Sequence, residues 1–266
     1  MQYLFLEVVA GLFAELAVRS RVRNVAAVVA VLFAAVLQPS AASGESVVVL
    51  HGLARSSDSM SRMASALEKA GYHVCNVSYP SRKHSIEVLT TDFVAPAVRA
   101  CQSSETDTVH FVTHSMGGLV VRQLAKTEAD LRIGRVVMLS PPNHGSEVVD
   151  KLGELSLFRL INGPAGLQLA TSEESVPRTL GSASFDVGII TGNRTINPLL
   201  SWLIPGADDG KVSIESAKLE GMADFCVIPS THPFIMKNKQ AIEQTLGFLA
   251  KGRFTCATHA SSLRHS

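Results

Sequence analysis

The first chemistry the chain offers is a serine held between small residues. The segment Val109-His110-Phe111-Val112-Thr113-His114-Ser115-Met116-Gly117-Gly118 is an apolar strand running into a small-residue turn, and an amphipathic run from Leu119 to Lys126 follows. Ser115 therefore stands at the apex of a strand-turn-helix elbow. A serine hydroxyl is a poor nucleophile at neutral pH, so it needs a base to take its proton and donors to hold the oxyanion formed by attack on a carbonyl. Gly117 and Gly118 keep the helix start slim enough for a neighbouring strand to approach. Thr113 stands where the motif G-x-S-x-G has its first glycine; a small side chain in extended backbone is tolerable there. A helix start in which Ser115 merely caps is the plainer reading.

Groups suited to the remaining roles flank the elbow. Upstream, Ser46-Val47-Val48-Val49-Leu50 is a β-branched run of the kind that forms a strand buried on both faces, and it ends in His51-Gly52-Leu53-Ala54-Arg55-Ser56. A strand ending in His-Gly is a usual place for a backbone donor to an oxyanion, so the N–H groups of Leu53 and Met116 form the candidate pair. Downstream, Phe185 to Thr191 reads as another buried strand, and the loop Pro205-Gly206-Ala207-Asp208-Asp209-Gly210-Lys211-Val212 carries two adjacent carboxylates. A carboxylate in such a turn can bond Nδ1 of a histidine, hold its tautomer and leave Nε2 free for the serine proton. A solvated Asp-Asp-Gly turn is the alternative. The strand Phe225-Cys226-Val227-Ile228 then leads into Pro229-Ser230-Thr231-His232-Pro233-Phe234, and a helical pattern runs from Asn238 to Leu249.

These segments resemble the bacterial lipase and esterase branch of the α/β-hydrolase fold, the triacylglycerol lipase-like serine hydrolases. The resemblance runs from about Ser46 to about Phe254. It rests on Val-Leu-His-Gly-Leu at 49–53, Tyr-Pro-Ser at 79–81, Thr-His-Ser-Met-Gly-Gly at 113–118, Pro-Pro-Asn-His-Gly-Ser at 141–146, Asp-Asp-Gly-Lys-Val at 208–212, and His232. It implies hydrolysis of small-molecule or lipid carboxylic esters through an acyl-enzyme, with triad members in the order serine, acid, histidine. That order points to Ser115, Asp209 and His232. Asp209 occupies the D-x-x-V frame of the family's acid turn, which leaves Asp208 to solvent or to the turn's own hydrogen bonds. Of nine histidines, only His232 follows the acid turn on a loop between the last strand and the last helix. His51 precedes the serine and is read as structural. His114 is expected to point away from Ser115, because adjacent side chains in extended backbone face opposite sides. His144 is expected on a loop near the mouth of the site, and the 141–146 stretch resembles a loop that shapes the acyl pocket. An acyltransferase or thioesterase would use the same triad, and a catalytically dead binder of apolar ligands could keep the fold, though not a reason for the triad order. No cofactor is implied, and no H-E-x-x-H or C-x-x-C spacing suggests a metal.

The elements that must position these residues alternate along the chain. Short apolar runs at 46–50, 73–79, 109–113, 135–140, 186–191 and 224–228 predict strands, while 60–70, 86–101, 119–129 and 240–249 have helical spacing. This alternation predicts an α/β domain over residues 45–256 with a mostly parallel sheet and helices on both faces. A length of 266 residues with 46% hydrophobic content suffices for its core. From 147 to 184 the pattern gives way to Gly, Pro, Ser and Leu, which predicts a small helical cap rather than a long bare loop.

Ahead of the domain, Arg19, Arg21 and Arg23 precede the apolar run Val25 to Leu37, and Pro39-Ser40-Ala41-Ala42-Ser43-Gly44 follows. Basic region, apolar core and small residues make residues 1–44 an expected export segment for a periplasmic or secreted protein. A run of thirteen residues, 25 to 37, falls short of the roughly 20 that span a bilayer, so a permanent inner-membrane anchor is the lesser reading. Removing residues 1–44 takes three of the 24 Lys+Arg and two of the 23 Asp+Glu, leaving 21 against 21. That balance argues against nucleic acid as a partner and leaves contact with a membrane surface or lipid interface open. Cys75, Cys101, Cys226 and Cys256 all fall in the exported part, where disulfides are permitted. Helix 86–101 returns antiparallel to the start of the strand holding Cys75, and the last strand and helix relate Cys226 to Cys256 in the same way. The expected pairs are therefore Cys75–Cys101 and Cys226–Cys256, with buried free thiols as the alternative. Residues 257–266 form a polar tail.

Overall fold

The computed structural model describes residues 44–102, 107–196 and 198–256. Most of the expected export segment and the whole expected polar tail thus lie outside the described residues. Six strands form one parallel sheet: β1 (Ser46–Leu50), β2 (His73–Val77), β3 (Val109–His114), β4 (Ile133–Leu139), β5 (Val187–Gly192) and β6 (Asp224–Ile228). Their order is β2-β1-β3-β4-β5-β6, every neighbouring pair being parallel. The expected α/β architecture is therefore present, with strand bounds shifted by a few residues. The strand at 73–79 stops at Val77 because the Tyr79 N–H finds a side-chain partner, His51 Nε2, instead of a sheet carbonyl.

All residues of β1, β3 and β5 are buried, which is why none of the three alternates regularly between apolar and polar residues. Successive residues still face opposite layers. Val48, Leu50, Phe111 and Met138 pack with α2 (86–101) and α3 (Gly117–Thr127), whereas Val47, Val49, Val112 and Val137 pack with α1 (Ser61–Lys69) and α9 (Lys239–Lys251). The helix α2 is built of Ile86–Val88, the wider π-helical turn Leu89–Val94, and Ala95–Cys101. Pro96 has no N–H to donate to the preceding turn, and the widening ahead of it, with the Ala95 N–H reaching Thr90 O, absorbs that loss.

Between β4 and β5 the expected cap resolves into α4 (Glu147–Leu152), α5 (Ser156–Leu167) and α6 (Val176–Thr179). α5 kinks at Gly163, whose φ of 65° is left-handed and whose Cα lies against the Arg82 carbonyl. Two short helices, α7 (Pro198–Trp202) and α8 (Ile214–Ala217), flank the 205–212 loop.

Both expected disulfides are present, Cys75–Cys101 with Cα atoms 6.1 Å apart and Cys226–Cys256 at 6.2 Å. Each ties the start or middle of a strand to the far end of the helix or tail covering it. They close segments with separations of 26 and 30 residues, and in the chain-entropy account each contributes about 3 kcal/mol. Replacing Cys226 and Cys256 by serine should lower the thermal midpoint by roughly 6–12 °C. Calorimetry of the oxidised protein and of the variant measures this, and equal midpoints would mean the bridge constrains nothing.

Candidate active site

The site is assembled where three strands end side by side. Ala54, Ser115 and Ser140 are the described non-glycine residues with left-handed backbone, at φ of 57°, 54° and 49°, and they follow the adjacent strands β1, β3 and β4. Such backbone costs on the order of 1–3 kcal/mol each and persists only when surroundings over-determine it. For Ser115 the surroundings are plain: its N–H donates to Leu139 O at 2.8 Å, and its carbonyl accepts from the Gly118 N–H at 3.0 Å. Gly117 has no room for a side chain, since a Cβ would lie 3.0 Å from the carbonyl oxygens of both Leu50 and His51. The helix α3 thereby starts hard against the end of β1, and Ser115 is pushed out of the sheet.

Three side chains from distant parts of the sequence meet there. His232 Nε2 lies 3.0 Å from Ser115 Oγ, and His232 Nδ1 lies 2.8 Å from Asp209 Oδ2. The pairing of histidine and acid is made twice, because the His232 N–H also donates to the Asp209 carbonyl at 2.8 Å. Asp209 Oδ1 accepts from the N–H groups of Lys211 and Val212 at 3.1 and 3.0 Å, so this fully buried carboxylate has its lone pairs occupied. Burial pushes its pKa up, but the charge and hydrogen bond of His232 and the Val212 N–H outweigh this and hold it below the ordinary carboxylate range. An ionised acid on Nδ1 fixes the imidazole with its Nε2 lone pair toward Ser115, the arrangement needed to accept a hydroxyl proton. Asp208 is turned away from His232: its Oδ1 accepts from the Gly210 N–H at 2.6 Å and its Oδ2 from Ser201 Oγ at 2.5 Å.

Leu53 and Met116 sit on the two loops that the β1–β3 register brings level, Leu50 pairing with Thr113. The first of these loops is firmly held. His51 is buried, stacks on Tyr79 with ring centroids 4.2 Å apart, bonds the Gly52 carbonyl through Nδ1 and accepts the Tyr79 N–H. The Tyr79 hydroxyl donates to the His51 carbonyl, and Ser81 Oγ accepts from the Ala54 N–H at 3.1 Å. Burial keeps the His51 ring neutral by lowering its pKa. This is the structural role its place in the sequence suggests.

One histidine departs from expectation. His114 does not point away: its ring lies 4.9 Å from that of His232, its Nε2 bonds the His232 carbonyl at 3.0 Å, and it helps line the pocket. The alternation rule fails here because it requires extended backbone on both residues, and Ser115 is left-handed. Burial, then the neighbouring His232, hold the His114 pKa well below its ordinary value, so it stays neutral beside the base. His144 lies on the loop between Pro142 and Ser146, both of which line the pocket; it is half-buried, and its N–H donates to Ser216 O.

A cavity of about 300 Å³ opens over Ser115. Its far wall is apolar and comes from the cap, through Val148, Val149, Leu152, Phe158 and Ile161, while Arg55 and Lys211 stand near the histidines. Arg122, on α3, ties the cap down. Its guanidinium is buried and donates to the carbonyls of Asn143, Pro177 and Gly181. Neither the cap-facing role of Arg122 nor the placement of Arg55 and Lys211 has a signature in the sequence, where all three read as ordinary surface charges.

Comparison with known proteins agrees with this architecture. A family profile described as alpha/beta hydrolase fold matches residues 45–192. No curated protein matches the sequence. Among solved structures, a Bacillus licheniformis lipase in its mature form is similar at a TM-score of 0.63 and 19% identity, over 78% of this chain and 93% of that one. A metagenomic carboxyl esterase gives 0.58 and 18%, over 73% and 66%. Aspergillus fumigatus lipase B gives 0.57 and 17%, over 80% of this chain and 54% of that one.

The two neighbouring acids make opposite forecasts. Asp209→Asn should slow the reaction of Ser115 with a fluorophosphonate by something on the order of 10³–10⁴, because the wrong tautomer is then favoured. Asp208→Asn removes one charged turn contact, worth roughly 1 kcal/mol, and should slow it less than about tenfold. Labelling rates by gel fluorescence decide the matter; a larger loss in Asp208→Asn would reassign the acid.

Proposed function

The chain belongs to the α/β-hydrolase fold family, and from that premise and the geometry of Ser115 we propose that it hydrolyses carboxylic esters, as lipases and esterases do. The observation that carries the proposal is the unbroken line Ser115 Oγ, His232 Nε2, His232 Nδ1, Asp209 Oδ2, with contacts of 3.0 and 2.8 Å. Ser115 Oγ attacks the ester carbonyl carbon while His232 takes its proton. The Met116 and Leu53 N–H groups are the donors proposed for the tetrahedral oxyanion. Collapse breaks the bond to the alcohol oxygen, which leaves with the proton from His232, and the acyl group stays on Ser115. Water, deprotonated by the same imidazole, then releases the acid and restores the hydroxyl.

The apolar cap wall suits an acyl chain, and a cavity near 300 Å³ is at the small end of ligand sites. Outside that wall, Leu157, Leu160, Leu199 and Trp202 are 68%, 79%, 72% and 82% exposed. Large apolar side chains left in water around one mouth support contact with a lipid interface. Two disulfides in a domain preceded by a basic-apolar-small segment support export to the periplasm or medium.

Ser115→Ala should abolish fluorophosphonate labelling and lower ester turnover by about 10⁴ or more with unchanged circular dichroism; full labelling of the variant would remove Ser115 from the reaction. Protein recovered from the periplasm or medium should, by intact mass, begin near Ala42 to Gly44 and lack four hydrogens relative to its reduced form. A mass that retains Met1 would make the apolar run an anchor.

A further inference from the structure

Arg55 and Lys211 are the feature of the pocket that the proposed reaction does not use. Both line the cavity over Ser115. Each belongs to a loop whose backbone is already fixed by the site. Arg55 follows Ala54, whose left-handed backbone is pinned by Ser81. The Lys211 N–H donates to Asp209 Oδ1, and its carbonyl accepts from Ser146 Oγ at 3.1 Å. Both residues face solvent as well as the cavity, each being more than a third exposed; they act on each other and on the buried His114 ring, crowding by protein and then the charge of Arg55 lowering the Lys211 pKa and both charges depressing that of His114. Among the described residues, neither side chain has a carboxylate or any other ion-pair partner. The acid that attracts Lys211 is Asp209, and its oxygens are taken by His232 and two backbone N–H groups.

Two like charges without an ion-pair partner at the edge of a small, mainly apolar pocket repel each other and gain from an anion placed between them. Their position says which half of a substrate would carry it. The acyl chain suits the apolar cap wall, whereas Lys211 sits on the Asp209 turn that holds His232 and both cations act on His114, and His232 is the group that hands a proton to the departing alcohol. We propose that Arg55 and Lys211 select esters whose alcohol half bears a negative charge, a carboxylate or a phosphate. The inference rests on the ester-hydrolase reading above.

The test uses matched butyrate esters. 7-Butanoyloxycoumarin and its 3-carboxylate differ in one charge, whereas 1-butanoylglycerol and its 3-phosphate differ in nearly two at neutral pH. The full exported protein should favour the anionic member of a pair by roughly tenfold per cation in kcat/KM, and added salt should shrink that preference. Arg55→Gln and Lys211→Gln should each cost about tenfold on the anionic ester through KM, with the neutral ester changed less than about twofold. Arg55→Lys should retain most of the preference. A gain with the phosphate pair beyond what its second charge supplies points to a phosphorylated alcohol, and a gain with the carboxylate pair that matches or exceeds it points to a hydroxy acid. Equal kcat/KM within both pairs, or a preference that survives in the double variant, overturns the proposal. Failure to cleave any of the four esters would instead count against the hydrolase reading. In that event, fluorescence anisotropy of the two coumarin esters on Ser115→Ala reads the site without turnover: tighter binding of the carboxylate, lost in the double variant, supports the cation pair, and equal binding overturns it.

Discussion

The contact on which the site depends is the approach of the start of α3 to the end of β1. A methyl group on Gly117 would sit 3.0 Å from the Leu50 and His51 carbonyl oxygens, so the glycine is what lets helix and strand meet. From that meeting follow the left-handed turn at Ser115, the exposure of its hydroxyl above the sheet, and the level alignment of the Leu53 and Met116 loops. The sheet order adds the rest. Moving outward from β1 the chain goes first to β2 and then back across to β3, and the crevice where such an order reverses is the place parallel sheets leave open for ligands. Strain at Ala54, Ser115 and Ser140 lies along the rim of that crevice, offset by two fully buried strands beneath it and a half-buried one.

Electrostatics separates three buried histidines that share this small volume. His51 gives its Nδ1 proton to a backbone carbonyl, accepts a backbone N–H through Nε2 and packs on Tyr79, so its neutral form satisfies both nitrogens. His114 gives one N–H to the His232 carbonyl and is kept neutral by burial and by its cationic neighbours. Only His232 faces a carboxylate, and only its second nitrogen faces a hydroxyl. An imidazolium formed at His51 or His114 would be desolvated without compensation; one formed at His232 has an ionised partner at 2.8 Å. The neutral pair is scaffold, and the paired ring is the one equipped to hold a proton.

How much of this is legible in the sequence depends on whether a residue's role follows from local rules. The runs Val47 to Leu50 and Val109 to Val112 declare buried strands because both faces need apolar atoms, and the elbow is legible because it is local chemistry, a serine between a strand and two glycines. Asp209 is legible through its spacing to Val212, whose N–H it accepts. His114 is misread because its direction depends on the φ of its neighbour, a quantity set by packing around Gly117 rather than by residue type. The Ile86 to Cys101 helix is legible in extent, but its π-helical turn is not, since Pro96 only announces a lost hydrogen bond and the packing decides how it is absorbed. Arg55, Arg122 and Lys211 are invisible for a different reason. A cation in a loop or on a helix reads as a solvated charge until the fold shows what stands beside it.

The division of the pocket into an apolar wall and a cationic one bears on the chemistry itself. In the proposed reaction, proton transfer from Ser115 places positive charge on His232 and negative charge on the substrate oxygen. Asp209 attracts the first, while Arg55 and Lys211, on the histidine side of the cavity, repel it. A substrate that brings its own negative charge to the cationic wall cancels the repulsion and leaves the attraction intact, so binding and catalysis draw on the same contact. A neutral ester leaves the opposing field in place and must be turned over against it.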